Sequence, residues 1–329
     1  MKKIKKIAII GAGSWGTALA VLLAEKGYNI CLWCRREELY ENIKKHKENT
    51  QYLKNIKIPA NVAVTNSIED SAKDADIVVF CVPSDFLRSV AKTFSKFINK
   101  DALIIHTVKG IEHNTGKFMS TVLEEELNIK NISVLSGPNH AEEVANKLPT
   151  ATVIACRNLE NVKVLCNVFK TDFFKPYSHD DVTGVEICGA VKNIIAIAIG
   201  VCDGLRLGDN AKASILTMGL SEMSFIAKKF GAKRMTCYGL AGIGDLVVTC
   251  YSSHSRNRLA GEMLAQGKSI EQIKNEMHGM VAEGIKNTKA IYEICKKNNT
   301  RTLLISQAYG VLYRGTNIKK AIAQLLNAV

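Results

Sequence analysis

Short apolar runs alternate with charged, helix-periodic stretches through the first half of the chain. The runs Ile7–Ile10, Ile30–Cys34, Ile77–Val82, Ala102–Thr107, Ser133–Leu135 and Ala151–Ala155 have the length and β-branched content of buried strands, and Phe173–Ser178 is a candidate last strand. Between them, segments such as Arg36–Lys47 and Leu87–Phe97 carry helical spacing. This alternation predicts an α/β fold with a Rossmann-type doubly wound parallel sheet. After Asp180-Asp181 the strand pattern stops. Val182–Cys202, Ala211–Phe230, Arg256–Gln266, Ser269–Met277, Lys286–Lys297, Ser306–Tyr313 and Ile318–Leu326 read as helices punctuated by Gly and Asn. At 329 residues the chain exceeds one typical domain. The expected division is an α/β domain over residues 1–182 followed by an all-α domain over 183–329.

The first strand and first helix are joined by Gly11-Ala12-Gly13-Ser14-Trp15-Gly16. Glycines at this spacing between a buried strand and a helix form a dinucleotide cradle. Gly11 permits the tight turn, Gly13 lets the backbone approach a pyrophosphate, and Gly16 lets the helix pack close to the strand. The helix N-terminus at Ser14 and Trp15 then offers N–H groups to the anion. The second strand ends Trp33-Cys34-Arg35-Arg36, followed by Glu37-Glu38. An NAD site usually presents a carboxylate here to the ribose, whereas arginines favour a 2′-phosphate and hence NADP. The alternative is that Arg35 and Arg36 pair with the glutamates in solvent. Val82-Pro83 and Val108-Lys109-Gly110 end strands at the edge where open α/β sheets bind ligands. Lys109 is either a solvated loop lysine or a group that reaches a substrate anion or carbonyl.

The formal net charge is +13. Its lysines are spread along helices, with no dense aromatic-interleaved patch, so no nucleic-acid partner is expected; the positive field suits small anionic ligands. No run of eighteen apolar residues occurs, and the Met-Lys-Lys-Ile-Lys-Lys start lacks the apolar core of a secretory signal, so a cytoplasmic chain without membrane insertion is expected. The ten cysteines mostly lie in apolar runs, and Cys31 and Cys34 have no second pair, so neither disulfides nor a structural metal is expected.

Three constellations in the helical half carry chemistry. Lys192 sits in Ile187-Cys188-Gly189-Ala190-Val191-Lys192-Asn193-Ile194-Ile195-Ala196, the most apolar helix of the chain. Burial there would depress its pKa toward a value fit for acid–base work. The competing reading is a snorkelling lysine whose head reaches water. Asp245 ends the glycine-rich run Gly239–Gly244, a turn suited to placing one carboxylate beside another helix, where it would orient Lys192 or bond a substrate hydroxyl. Ser255-Arg256-Asn257-Arg258 opens an amphipathic helix. Its N-terminus, an arginine and an amide together suit a phosphate; Ser255 as a plain cap is the alternative. Two arginines in a first turn oppose the helix dipole, a conflict that an anion would relieve.

With these motifs together, the chain resembles the NAD(P)-dependent glycerol-3-phosphate dehydrogenases of the bacterial type. The resemblance rests on Gly11–Ala20, Val108–Glu112, Ser136–Val144, Ala190–Ala213, Gly239–Cys250, Ser252–Gly261 and Val281–Lys289, which span nearly the whole chain in order. It implies reversible hydride transfer between NAD or NADP and dihydroxyacetone phosphate, giving sn-glycerol 3-phosphate for glycerophospholipid synthesis, in a homodimer. It implies Lys192 as the proton donor and acceptor, with Lys109 and Asp245 beside it. Substrate contacts are implied at Lys109, Gly137, Asn139, Lys192, Asp245, Ser255, Arg256 and Asn257. Cofactor contacts are implied at Ser14, Trp15, Arg35, Arg36, Lys109, Ala141, Arg256, Val281 and Glu283. The chain departs from the family in carrying Asn139 where Ser or Thr is common, and in lacking a proline within Arg301–Ser306.

Overall fold

The computed structural model describes residues 4–277 and 282–328. The chain divides into two compact units: residues 1–108 with 119–182, and residues 109–118 with 183–329.

In the first unit the strands are β1 (Lys6–Ile10), β2 (Asn29–Trp33), β3 (Glu48–Asn49), β4 (Leu53–Lys57), β5 (Val62–Thr65), β6 (Ile77–Phe80), β7 (Leu103–His106), β8 (Ser133–Ser136), β9 (Thr150–Ala155) and β10 (Phe174–His179). Eight of them form one sheet in the order β10-β9-β8-β7-β6-β1-β2-β5, and β3 and β4 form a separate antiparallel pair. The central strands β1 and β6 are buried almost throughout. That follows from helices covering both faces of a parallel sheet, and it is why they read as unbroken apolar runs. The chain leaves β1 toward β2 and returns on its other side at β6, so the carboxyl ends of β1 and β6 flank the point where strand order reverses.

The sheet is mixed, where the sequence predicts a parallel one. β9 runs antiparallel to β8. The connection after Ser136 contains only the one-turn helix Ala141–Ala145, which packs on Ala18 of the helix Ser14–Glu25 instead of lying along the sheet. It gives no crossover helix to carry the chain back for a parallel strand. The strands β3, β4 and β5 went unseen in the pattern. They are two to five residues long and only partly buried, too short to give a clear apolar period.

The second unit is helical. Val182–Gly204 runs through its centre and Gly208–Lys229 follows it. The helices Asp245–Tyr251, Arg256–Ala265, Ile270–Glu276, Glu283–Lys297, Leu304–Arg314 and Ile318–Leu326 complete the unit, with tight turns over 234–244. Val182–Gly204 has a mean hydropathy of 1.9 over its most apolar window, enough by length and composition to cross a membrane. Every residue of that window is buried among the other helices. The excursion Lys109–Phe118 belongs to this unit, across the division expected at 182/183. Its ends meet in a bridge between Ile111 and Phe118, Ile111 is buried in the helical core, and Phe118 meets Phe230 edge-on at 6.2 Å. A strand-end loop thereby delivers Lys109 to the helical unit.

Candidate active site

The glycine turn of the first unit has the shape of an anion cradle. Gly11 adopts φ +119°, and a Cβ there would lie 2.8 Å from the Cys81 carbonyl oxygen. A Cβ on Gly16 would lie 1.9 Å from the Gly11 carbonyl oxygen, so helix and turn approach as only glycine allows. Gly13, the N-cap of Ser14–Glu25, faces open space, and no side chain caps that helix. No acidic residue occupies its first turn, so its N–H groups and positive end remain available to an anion. These residues fit a dinucleotide pyrophosphate.

The turn is held from behind by Asn49, which the sequence did not single out. Its fully buried Nδ2 donates to the Ala12 carbonyl at 3.0 Å and to Thr17 Oγ1 at 2.8 Å, while its Oδ1 accepts from the Tyr52 N–H at 3.2 Å. The arginines do not pair with the adjoining glutamates. Arg36 donates to Gln51 Oε1 at 2.9 Å and Tyr52 Oη at 2.7 Å, and the Arg35 guanidinium lies 4.6 Å from the Phe86 ring centre. Both remain exposed. Trp15 is half-buried, 6.5 Å from Phe174 between ring centres. Gly137 and Asn139 occupy the turn after β8, where the Asn139 amide donates to Thr152 Oγ1 at 2.9 Å and Thr152 donates to the Ser136 carbonyl at 2.9 Å. Ala141 begins the one-turn helix and is buried.

In the second unit, three predicted residues converge. Lys192 Nζ lies 2.5 Å from Asp245 Oδ1, and Lys109 Nζ lies 2.8 Å from Asp245 Oδ2. One carboxylate is thus shared between two ammonium groups. Lys192 is 5% exposed, so its head does not snorkel. It also donates to Thr249 Oγ1 at 2.7 Å. Asp245 is positioned by an unusual local path. Leu240–Gly244 forms a π-helical turn, and Gly242 packs so close to Cys237 that a Cβ would meet its carbonyl oxygen at 2.1 Å. Asp245 then opens the helix Asp245–Tyr251, one turn before Thr249, whose hydroxyl donates back to the Asp245 carbonyl at 2.6 Å.

Burial is the largest influence on Lys192. It pulls the ammonium down to about 8, with Asp245 opposing the fall and Lys109 adding to it. For Asp245, burial pushes the carboxyl up, but the two lysines outweigh it and hold the group below the ordinary carboxylate range. One buried carboxylate, ionised at neutral pH, is thus shared between two lysines.

The same helix joins this cluster to Ser255–Asn257. Asn193, next to Lys192, accepts from Asn257 Nδ2 at 2.9 Å, and Asn257 Oδ1 accepts from the Gly284 N–H at 2.9 Å. Ser255 caps Arg256–Ala265 by accepting from the Arg258 N–H at 3.3 Å. Of the two first-turn arginines, Arg258 is neutralised by Asp203 at 2.6 Å and Glu262 at 2.7 Å. Arg256 is exposed and pairs with no carboxylate among the described residues. Glu283 begins the helix Glu283–Lys297 and is half-buried. Val281 lies outside the described residues.

A glycine cradle at the switch point of a Rossmann-type sheet, with a helical unit holding a buried lysine of depressed pKa, defines a nicotinamide-dependent dehydrogenase. Two family models match the chain: the NAD-dependent glycerol-3-phosphate dehydrogenase N-terminus over residues 6–162, and its C-terminus over residues 181–323. The chain belongs to the NAD-dependent glycerol-3-phosphate dehydrogenase family. It is 42% identical to the glycerol-3-phosphate dehydrogenase [NAD(P)+] of Bacillus thuringiensis, over 98% of this chain and 96% of that protein. The crystal structure of a glycerol-3-phosphate dehydrogenase from Coxiella burnetii superposes with a TM-score of 0.95 at 36% identity, covering 98% of this chain and 99% of that one. The Saccharomyces cerevisiae enzyme superposes at 0.85 with 30% identity, covering 98% of this chain and 99% of that one.

Proposed function

We propose that the protein reduces dihydroxyacetone phosphate to sn-glycerol 3-phosphate, reversibly, with NADH or NADPH. The observation that carries this reading is the Lys192–Asp245–Lys109 cluster, a buried proton donor of tuned pKa beside a second cation. The nicotinamide group, when bound, supplies the hydride. In the reductive direction Lys192 gives its proton to the carbonyl oxygen as that oxygen gains charge, and Lys109 polarises the same oxygen. Asp245 fixes both ammonium groups and keeps Lys192 protonated despite its burial. The return reaction needs Lys192 neutral, to accept the alcohol proton.

The substrate phosphate is assigned to Arg256, the Ser255 hydroxyl and the N-terminus of Arg256–Ala265. The charge of Arg258 is already satisfied, so Arg256 is the cation that needs an anion there. Asn257 has a second amide N–H beyond the one given to Asn193, and Gly137 and Asn139 are further substrate contacts implied by family likeness. For the cofactor, Gly11, Gly13, Ser14, Trp15 and Gly16 take the pyrophosphate, and Arg35 and Arg36 take the adenosine ribose or a 2′-phosphate. Lys109, Ala141, Arg256, Val281 and Glu283 complete that set by likeness alone. We assign cofactor binding to a domain over residues 1–182, and substrate binding and proton transfer to one over 183–329 with Lys109 recruited to it.

The product serves glycerophospholipid synthesis. Eight of the ten cysteines are buried, as thiols used for packing in a reducing, cytoplasmic compartment would be. A second copy of the chain would cover Met235, Tyr238, Val247 and Tyr251, which are exposed on Arg234–Tyr238 and Asp245–Tyr251, giving a homodimer. The decisive experiment is an initial-rate assay of dihydroxyacetone phosphate with each reduced cofactor, against unphosphorylated dihydroxyacetone. The phosphorylated ketone should be reduced with at least a hundredfold higher kcat/KM. Equal rates with the two ketones would remove the phosphate site from the reading.

A further inference from the structure

We propose that Asn287 is a positioning residue that sets both lysines of the cluster in register, an inference that rests on assigning Lys109 and Lys192 to the reaction. Asn287 lies in the second turn of Glu283–Lys297 and is 1% exposed. Its Nδ2 donates to the backbone carbonyl of Lys109 at 3.0 Å and to that of Ala190 at 3.3 Å. The first carbonyl belongs to one reacting lysine, and the second lies two residues before the other. These partners are 178 and 97 residues away in the chain.

The two lysines reach Asp245 from supports of different stiffness. Lys192 stands in the middle of a 23-residue buried helix. Lys109 stands at the start of a loop of ten residues, 109–118. A loop holds a side chain to the sub-ångström tolerance of proton transfer only where its backbone is tied to a rigid element. The planar amide of Asn287 carries two N–H groups at a fixed angle, and one planar group holding both carbonyls fixes the loop relative to the helix. The Lys109–Asp245 ion pair alone would not do this, because a lysine side chain has four rotatable bonds through which its backbone can drift. Asn287 touches none of the reacting groups, so its effect passes entirely through the placement of Lys109 and Lys192.

Asn287→Ala removes both donors. Asn287→Asp keeps the shape and turns acceptor oxygens toward two carbonyls. Both variants should lose about ten- to a hundredfold in kcat for dihydroxyacetone phosphate reduction, within the range expected for a reacting group displaced by about 1 Å. KM should change less than about threefold, because the phosphate contacts are elsewhere. Groups facing Lys192 are Asp245, Thr249 and Cys250 on one helix and Lys109 on the loop. The Cys250 thiol, pushed up to about 12 by burial, stays neutral, so Lys109 and Asp245 set the charge around Lys192. As Lys109 recedes, the alkaline limb of the reductive kcat profile should move to higher pH. In a Lys109→Ala background, Asn287→Ala should cost under threefold more, because most of its effect has already been removed.

A merely structural role would lower the melting temperature and kcat together, leave the pH limb in place, and cost the same factor in both backgrounds; that result overturns the proposal. Where the alanine variant fails to fold, Asn287→Ser, with one short donor, should fold and still lose at least about tenfold in kcat; full activity in it also overturns the proposal. An active wild type with an insensitive Asn287 refutes this inference alone. A wild type inert toward dihydroxyacetone phosphate refutes the functional reading, and this inference with it.

Discussion

Asp245→Asn changes one charge and almost nothing of the shape of the cluster. In the native site the carboxylate lies 2.5 Å from Lys192 and 2.8 Å from Lys109, and it is 1% exposed, so solvent screens the Lys192 contact little. Its charge is what opposes the burial of Lys192 and leaves that lysine at about 8. An opposite charge at this distance is worth roughly one to three pKa units. Taking about two units, Lys192 falls to about 6 in the variant, while the repulsion from Lys109 remains. At about pH 7.5 the protonated fraction then drops from about three-quarters to about 3%, a loss of about 25-fold in the group that donates the proton. At about pH 5.5 both proteins are mostly protonated, and this part of the deficit shrinks to within about twofold. The assay is kcat for reduction at saturating substrate and cofactor, measured across that range. The alkaline limb should move down by about two units and activity should recover in acid. A variant equally impaired at every pH, with its limb near that of the wild type, would refute the claim that Asp245 works by holding the proton on Lys192.

Lys192→Ala should lower kcat in both directions by about a hundredfold or more, the range for losing a general acid, and near-normal turnover would remove Lys192 from that role. Arg256→Ala should raise KM for dihydroxyacetone phosphate by about ten- to a hundredfold, the cost of a lost charge-assisted hydrogen bond, with little change in melting temperature because the side chain is exposed; an unchanged KM would move the phosphate elsewhere. Stability should also report the burial of Lys192. Its folded pKa of about 8 lies below the ordinary lysine value of 10.5, so between these values the unfolded chain binds more protons and stability rises with pH. The wild type should therefore gain up to about 3 kcal/mol relative to Lys192→Met as pH climbs through that window, read by urea unfolding, and parallel curves for the two proteins would contradict the depressed pKa.

The glycine turn, Lys192 and the two arginines of Arg256–Arg258 were legible because each breaks a local rule. Glycine is costly within a helix, as at Gly16, a lysine is expensive in an apolar helix, and two arginines are unfavourable in a first helical turn. Such costs are visible in one stretch of sequence. Asn49, Asn193, Thr249 and Asn287 were not visible in this way. Each is an ordinary polar residue whose work is defined by partners far along the chain, as with the 178 residues between Asn287 and Lys109. The antiparallel β9 was hidden for a related reason. A strand reads the same in either direction, and only the packing of Ala141–Ala145 against the first helix decides its sense. Lys109 shows the limit from the other side. Position at a strand end pointed to the sheet, yet the burial of Ile111 in the helical core takes the loop with the second unit.

The apolarity of Val182–Gly204 can be explained from the chemistry it surrounds. Its most apolar window has a mean hydropathy of 1.9 and is wholly buried, and the same stretch would be long enough for a bilayer. A proton donor for a ketone must be acidic enough to give its proton near neutral pH, and an ordinary lysine is not. Water around Nζ would restore the ordinary value, so the helix must be dry on every side at Lys192. Dryness alone would neutralise the lysine altogether, and Asp245 opposes that loss. Asp245 alone would lock the proton on, and Lys109 weakens that grip by sharing the carboxylate. The pKa near 8 is therefore a balance among a dry helix, one anion and a second cation. Changing any one of the three should move the pH limbs of kcat in both directions of the reaction.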